Sequence, residues 1–326
     1  MAKPKIVVTR KLPQSVENEI ASRYDVHLNS NDVAMTSSQI VEAMRYADGI
    51  LCTVTDKITE EHFLVDRRTV KIVANFGVGV NHINREAAKK AGVVVTNTPD
   101  VLTDDTADIA LALILMTMRR LGEGERHVRS GAWSGWRPTH MMGQSSRGKT
   151  IGIVGYGRIG RAVANRAALA LGMKVIWYAP RDPAAYEADT AGPADAVRVD
   201  SLEELLRASD VVSLHCPSTP ETHHLINTER LMMMKSTAVL INTARGDVVD
   251  EYALAQALRD QVISGAGLDV YEFEPAVIPD LRELERVVLL PHLGSNGVET
   301  RLAMGHMALA NLDAFFAGTE PPNRVV

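Results

Sequence analysis

Cysteine is nearly absent from this chain. Its 326 residues include only Cys52 and Cys216, far apart and each in an apolar, strand-like run. They supply neither a disulfide framework nor a thiolate metal centre, and they suit a reducing compartment, so a cytoplasmic location is expected. Excess positive charge is missing too: 35 Lys and Arg against 40 Asp and Glu give a formal net charge of −5, no electrostatic footprint for nucleic acid. No apolar stretch is long enough for a bilayer span. The most apolar one, residues 107–118, reads as a buried helix, and the N-terminus M-A-K-P-K-I-V-V-T-R lacks a signal-peptide core, so no membrane partner is expected. Metal-ligand spacing is lacking as well. His215, His223 and His224 read as a strand end and a solvated loop, and no metal is expected.

What the chain does have is alternation, over a length that suggests two domains. Short β-rich runs at residues 6–9, 26–28, 50–54, 71–75 and 93–96 are separated by helical segments such as 36–46 and 84–91, the latter closed by Gly92. A second round begins at Thr150, with runs at 150–154, 175–178, 211–214, 238–242, 265–269 and 287–290. Such patterning predicts an α/β fold of two doubly wound, mostly parallel sheets. Between the rounds, Pro99 and an acidic first turn open a long apolar helix ending near Arg120. A second long helix spans about 298–317, and its tail is expected to return to the first domain. The domains are then 1–98 plus 293–326, and an inserted 99–292 that includes one of two hinge helices.

Three charged residues follow apolar runs of the second round. Arg245 stands in A-V-L-I-N-T-A-R-G (residues 238–246), Glu274 in G-L-D-V-Y-E-F-E-P (267–275) and His292 in V-V-L-L-P-H-L-G-S (287–295). Ligands of open α/β sheets bind beyond the carboxyl ends of the strands. A guanidinium, a carboxylate and an imidazole meeting there suggest one chemistry: Arg245 holds a carboxylate or carbonyl, His292 moves a proton, and Glu274 tunes His292. Taken singly, each is as readily an ordinary strand-end residue; it is the set that carries the reading. Upstream, G-Y-G-R-I-G (155–160) follows the strand K-T-I-G-I-V and opens an amphipathic segment, the context in which glycine spacing signals dinucleotide binding. Gly155 permits the tight turn, Gly157 lets backbone approach a pyrophosphate, Gly160 allows close helix packing, and Arg158 and Ile159 open the helix whose N-terminus favours the anion. Together these features point to hydride transfer on a small 2-oxo or 2-hydroxy acid.

The next strand end bears on the cofactor. An NAD site places an acid there for the ribose 2′-OH, but V-I-W-Y-A-P-R-D-P (175–183) has Ala179 at that position and Arg181 shortly after. An Arg can pair with a 2′-phosphate, so NADP(H) is favoured and NAD(H) remains possible through Asp182, either as the displaced acid or as a partner of Arg181.

The order of motifs resembles the D-isomer-specific 2-hydroxyacid dehydrogenases nearly end to end. It runs from N-F-G-V-G-V-N-H-I (75–83) through G-Y-G-R-I-G and S-L-H-C-P (213–217) to I-N-T-A-R-G, L-D-V-Y-E-F-E-P and P-H-L-G-S. Residues 99–108 and G-A-W-S-G-W-R-P (131–138) look most like the glyoxylate/hydroxypyruvate reductase branch, and 2-ketogluconate reductases share much of this. The resemblance implies a flavodoxin-like substrate domain, a Rossmann cofactor domain, a cleft between them, and a homodimer formed through the cofactor domains. By position it makes Arg245 the substrate-binding Arg, Glu274 and His292 the acid/base pair, and Val78 and Gly79 the loop whose N–H groups hold the substrate carboxylate. It puts Asp269 near the nicotinamide and Thr106, Cys216, Thr243 and Ser295 along the cofactor. Asn81 departs from the Asp of many members. In that branch the 133–142 loop, here tipped by Thr139, His140, Met141 and Met142, can reach the neighbouring subunit's active site. A nucleotide-sensing binding protein on the same fold is the reading from a different class, and the acid/base pair argues against it.

Overall fold

The structure is a computed structural model in which residues 2–180 and 192–326 are described. The chain divides into two compact units, Met1–Leu102 with Asn296–Val326, and Thr103–Ser295. The expected boundaries, at 98/99 and 292/293, lie a few residues earlier. The difference has a local cause after His292: Leu293 and Gly294 donate their N–H groups to the Asp269 carboxylate, and Thr106 Oγ1 donates to Gly294 O, so these residues stay with the second unit.

The first unit is a five-stranded parallel sheet of β1 (Lys5–Val8), β2 (Asp25–His27), β3 (Gly49–Thr53), β4 (Ile72–Phe76) and β5 (Val94–Thr96). Its order, β2-β1-β3-β4-β5, is the flavodoxin-like one. The central strands read as continuous apolar runs because helices cover both faces of such a sheet. β4 is buried throughout its five residues. Helix Ser37–Tyr46 starts at a Thr36–Gln39 capping box, and Arg85–Lys90 starts where Asn84 accepts from Ala87 N. Helix Val298–Phe316 carries a buried Asn311, whose side chain donates to Asn97 O and accepts from Asn323 N. That bond lays the C-terminal tail along β5, where Val325 N donates to Val95 O.

The second unit holds a seven-stranded parallel sheet ordered β12-β11-β10-β9-β6-β7-β8. Its strands are β6 (Thr150–Val154), β7 (Lys174–Tyr178), β8 (Val197–Arg198), β9 (Val211–Leu214), β10 (Val239–Asn242), β11 (Gly265–Leu268) and β12 (Val287–Leu289). Counted from β6 this is the Rossmann order with one strand added. Two elements differ from expectation. β8 has only two residues, too few to show a period. The long helix is Thr103–Met118, and after Arg120, at φ +56°, a separate helix Leu121–Arg129 follows. Two glycines in L-G-E-G-E-R hide that helix, which the bidentate Arg120–Glu123 pair supports at its first turn. Among the described residues no helix is long and apolar enough to cross a membrane.

Helix Arg158–Leu171 packs directly behind β6, and Gly160 is the contact: a Cβ there would stand 2.2 Å from Gly155 O. Backbone cannot yield as a side-chain tip can. Gly160→Ala is therefore expected to cost about 1–3 kcal/mol, as overpacking does, seen as a lower urea midpoint for the second unit. An unchanged midpoint would mean that helix and turn separate freely.

Candidate functional site

β10, β11 and β12 are neighbours in one parallel sheet, so their carboxyl ends lie at one edge. The loops leaving that edge carry Arg245, Glu274 and His292. Asn242, buried at the end of β10, folds the first: its Nδ2 donates to Arg245 O at 2.8 Å and its Oδ1 accepts from Ala244 N at 3.0 Å. Arg245 Nη1 donates to Ala244 O at 2.7 Å. Gly246 meets the second loop, and a Cβ on it would lie about 2 Å from Tyr271 C and Glu272 N. The turn carrying Arg245 and the turn carrying Glu274 therefore touch through backbone.

Glu274 Oε1 accepts from Tyr271 N at 3.0 Å, and Glu274 Oε2 lies 2.9 Å from His292 Nδ1. With a carboxylate as its partner the ring nitrogen is the donor, so Nε2 is the atom left to exchange a proton outside the pair. The two side chains are 35% and 32% exposed, wet enough for proton exchange and dry enough for a firm bond. His292 has φ +56°, a left-handed backbone that costs about 1–2 kcal/mol for a residue of this kind. Asp269 holds it there: its carbonyl accepts from His292 N at 2.9 Å, and its carboxylate accepts from Leu293 N at 2.6 Å and Gly294 N at 2.8 Å. The resemblance put Asp269 near the nicotinamide. The structure commits both of its side-chain oxygens to the His292 loop, an anchoring role that the sequence reading missed; its one signal was an acid at the end of an apolar strand.

The electrostatics follow from burial and pairing. Burial works against ionisation of Glu274, but the His292 hydrogen bond and charge, the Tyr271 N–H and the Arg245 guanidinium outweigh it and hold the carboxyl below its ordinary range. Desolvation pulls the Arg245 guanidinium down, and Glu274 and Asp247 oppose it; an arginine stays charged at any working pH. Burial raises Asp269, against the bonds from Leu293 and Gly294 and the charge of His292. His215, packed after β9 with Ser213 Oγ 2.8 Å from its Nε2, is pushed by burial down to about 3, which keeps the ring neutral. Burial pushes the Cys216 thiol up to about 12, so it is no thiolate.

The fingerprint leaves the same sheet edge from β6. Gly155 has φ +90°, and a Cβ would come within 2.7 Å of Cys216 N. Among the described residues nothing lies within 4 Å of where a Cβ on Gly157 would be, and Gly157 caps helix Arg158–Leu171 without a side-chain bond to its first turn. An open backbone cradle at a helix N-terminus suits a pyrophosphate. Thr243 Oγ1 is buried after β10 with no hydrogen-bond partner among the described residues, another place a polar ligand would fit. Thr106 lies in the first turn of its helix, bonded to Gly294 O beside Ser295. These residues fit a dinucleotide.

Arg181 and Asp182 lie outside the described residues. Ala179 is buried directly after β7, and a second arginine stands beside it: Arg198 on β8 packs over the Trp177 ring and donates to Ala179 O at 3.3 Å. Sequence reasoning missed Arg198 because its strand is so short.

In the first unit, Val78 and Gly79 sit in the loop after β4. Asn97 Nδ2 donates to Val78 O and Asn75 Nδ2 to Gly79 O. In a planar trans peptide C=O and N–H point opposite ways, so tying down Val78 O turns the Gly79 N–H away from Asn97.

His223, His224 and Glu272 bring metal-ligand atoms within 4.8 Å of one another, a grouping hidden in the sequence because Glu272 comes from a distant loop. His224 Nε2 lies 3.0 Å from the Glu272 carboxylate, and the two imidazoles are stacked at 24°. His223 Nε2 lies 3.9 Å from the same carboxylate, so both rings face Glu272.

A model of the D-isomer specific 2-hydroxyacid dehydrogenase NAD binding domain matches residues 111–294. Glyoxylate reductase of Thermococcus litoralis is 44% identical over 99% of this chain and 97% of its own length. Glyoxylate reductase of Pyrococcus furiosus is 41% identical over 99% and 95%. Among solved structures, a protein from Thermus thermophilus is 43% identical with a TM-score of 0.89, covering 99% of this chain and 100% of that one. An NADPH-dependent glyoxylate/hydroxypyruvate reductase from Sinorhizobium meliloti, in complex with NADP and malonate, is 33% identical with a TM-score of 0.85, covering 100% and 97%.

Proposed function

Because the chain belongs to the D-isomer-specific 2-hydroxyacid dehydrogenase family, we propose that it is an NADPH-dependent reductase of glyoxylate and hydroxypyruvate, forming the D-hydroxy acid from the latter. The observation that carries this reading is the 2.9 Å His292–Glu274 contact on the sheet edge that also bears Arg245 and the glycine fingerprint. The relatives named for glyoxylate support the choice of substrate.

The residues divide the work by charge. Reduction of a 2-oxo acid turns a carbonyl oxygen into an alkoxide beside a fixed carboxylate. The nicotinamide, when bound, supplies the hydride. Arg245 binds the substrate carboxylate and polarises the carbonyl; its planar fork suits both oxygens. Val78 and Gly79 offer backbone N–H groups for a substrate carboxylate. Protonated His292 gives the alkoxide its proton from Nε2, and the Glu274 carboxylate on Nδ1 favours the imidazolium that does so. Gly155, Gly157, Arg158, Ile159 and Gly160 hold the pyrophosphate, Thr106, Cys216, Thr243 and Ser295 line the cofactor, and Arg181 with Arg198 meets the 2′-phosphate. The enzyme works as a homodimer: Leu121, Val128, Trp133, Trp136 and Met142 of the second unit are all exposed, and a second copy would cover them.

His292→Ala is expected to lower kcat roughly 10²–10⁴-fold, the range for a positioned acid/base, while the dissociation constant for NADPH stays close to wild type. Near-normal turnover would remove His292 from the mechanism.

Glu274→Gln removes the charge that favours the imidazolium. Reduction needs the protonated acid, so the fall of kcat/KM with rising pH is expected to begin at lower pH in the variant. Superimposable profiles would show that Glu274 does not tune the acid.

Cofactor choice is read by comparing kcat/KM for NADPH and NADH. The expected preference for NADPH is at least about tenfold, the worth of one charge-assisted bond. It should shrink in Arg181→Ala, and further with Arg198→Ala added, chiefly through KM for NADPH. Equal use of both cofactors by the wild type would contradict the assignment and favour Asp182 as the ribose acid.

A further inference from the structure

Glu274 can act on His292 only if the turn that carries it is held still, and residues 271–275 belong to no helix or strand. Two successive N–H groups fix that turn. Tyr271 N donates to Glu274 Oε1 at 3.0 Å, and Glu272 N donates to Glu251 Oε1 at 2.8 Å. The peptide between Tyr271 and Glu272 lies flat on Gly246, with no room for even a Cβ.

Glu251 is an unusual anchor. It opens helix Glu251–Arg259, where an acid ordinarily faces solvent and the helix dipole. Here it is 2% exposed and turned toward the Glu272 peptide, while its second oxygen, Oε2, is buried with no hydrogen-bond partner among the described residues. Burial, and then the charges of Glu272 and Glu274, push its carboxyl up. Asp250 already caps the helix by accepting from Ala253 N, so the helix start does not need Glu251. A buried acid beside two others is costly unless it is paired, and the one hydrogen bond its carboxyl makes among the described residues runs to the turn that carries Glu274.

We propose that Glu251 is a positioning residue for the His292–Glu274 pair, acting by pinning the 271–272 peptide against Gly246. The inference rests on the functional reading above. Without the Glu251 acceptor, a half-buried Glu272 N–H must find another partner. Rotating that peptide moves Tyr271, whose own N–H holds Glu274 Oε1, and Glu274 swings away from His292 Nδ1. The other charged groups around the pair stay in place: Asp269 under His292, Arg245 beside Glu274, Asp247 beside Arg245, and Glu272 paired with His224.

The test is the pH dependence of kcat/KM for glyoxylate reduction in Glu251→Ala, Glu251→Gln, Glu274→Gln and the double variant Glu251→Ala/Glu274→Gln, with thermal unfolding to establish that each is folded. Glu251→Ala is expected to lower kcat roughly 10–100-fold, as small misplacements of a catalytic group do, and to move the profile to lower pH as far as Glu274→Gln does. Glu251→Gln keeps an acceptor oxygen and should restore both the rate and the profile. The double variant should match Glu274→Gln in profile, because both changes remove the same interaction. A folded Glu251→Ala with the wild-type profile, or shifts that add in the double variant, overturns the proposal. If Glu251→Ala does not fold, Glu251→Asp carries the test: its shortened reach should move the profile the same way, and a wild-type profile overturns the proposal. Full turnover in His292→Ala would instead overturn the functional reading. Lost turnover there, together with a shifted Glu274→Gln profile and an unshifted Glu251→Ala profile, would overturn this inference alone.

Discussion

The strands β10, β11 and β12 end in step: Asn242 pairs with Leu268, and Leu268 with Leu289. That parallel register is the constraint on which the candidate site depends. It brings three loops to one edge at the spacing of neighbouring strands, roughly 5 Å. A slip of one residue would exchange the faces of every side chain on a strand. It would also carry Asp269 away from the loop of His292, and Gly246 away from the turn of Glu274. Burial of these strands on both faces is what enforces the register, so the core and the site share one cause.

On that frame the site is assembled from acids that hold backbone. Asp269, Glu274 and Glu251 each accept from main-chain N–H groups of the loops around His292 and Arg245. The left-handed backbone of His292 persists because two such bonds, and a third from His292 N to the Asp269 carbonyl, fix it. Negative charge gathered this way needs a cation nearby, and the Arg245 guanidinium is one the loops supply. The same arrangement that orders the loops therefore sets the charges on which the proposed reduction relies.

Much of this was legible in the sequence, for identifiable reasons. Every strand but β8 is announced by a short apolar or β-branched run whose ends fall within one residue of the strand's own, and Thr150–Val154 and Val211–Leu214 match to the residue. β8 is not announced, since two residues carry no period. The glycines of G-Y-G-R-I-G were readable because their use is a matter of backbone space, which spacing alone reports. Glu274 and His292 were readable as strand-end residues, but their contact depends on a register that no local pattern contains. Asp269 as anchor, Arg198 beside Ala179, Glu251 beneath Glu272, and the His223–His224–Glu272 grouping all join residues distant in sequence. Pairings of that kind appear only once the sheet is assembled.

The central claim is that this edge carries out reduction and is not merely a nucleotide sensor. Its most direct test is oxidation of NADPH by the wild-type protein in the presence of glyoxylate, hydroxypyruvate, 2-ketogluconate, pyruvate or 3-phosphohydroxypyruvate. The account predicts turnover with the highest kcat/KM for glyoxylate or hydroxypyruvate. Tight NADPH binding with no turnover of any of the five acids would contradict it.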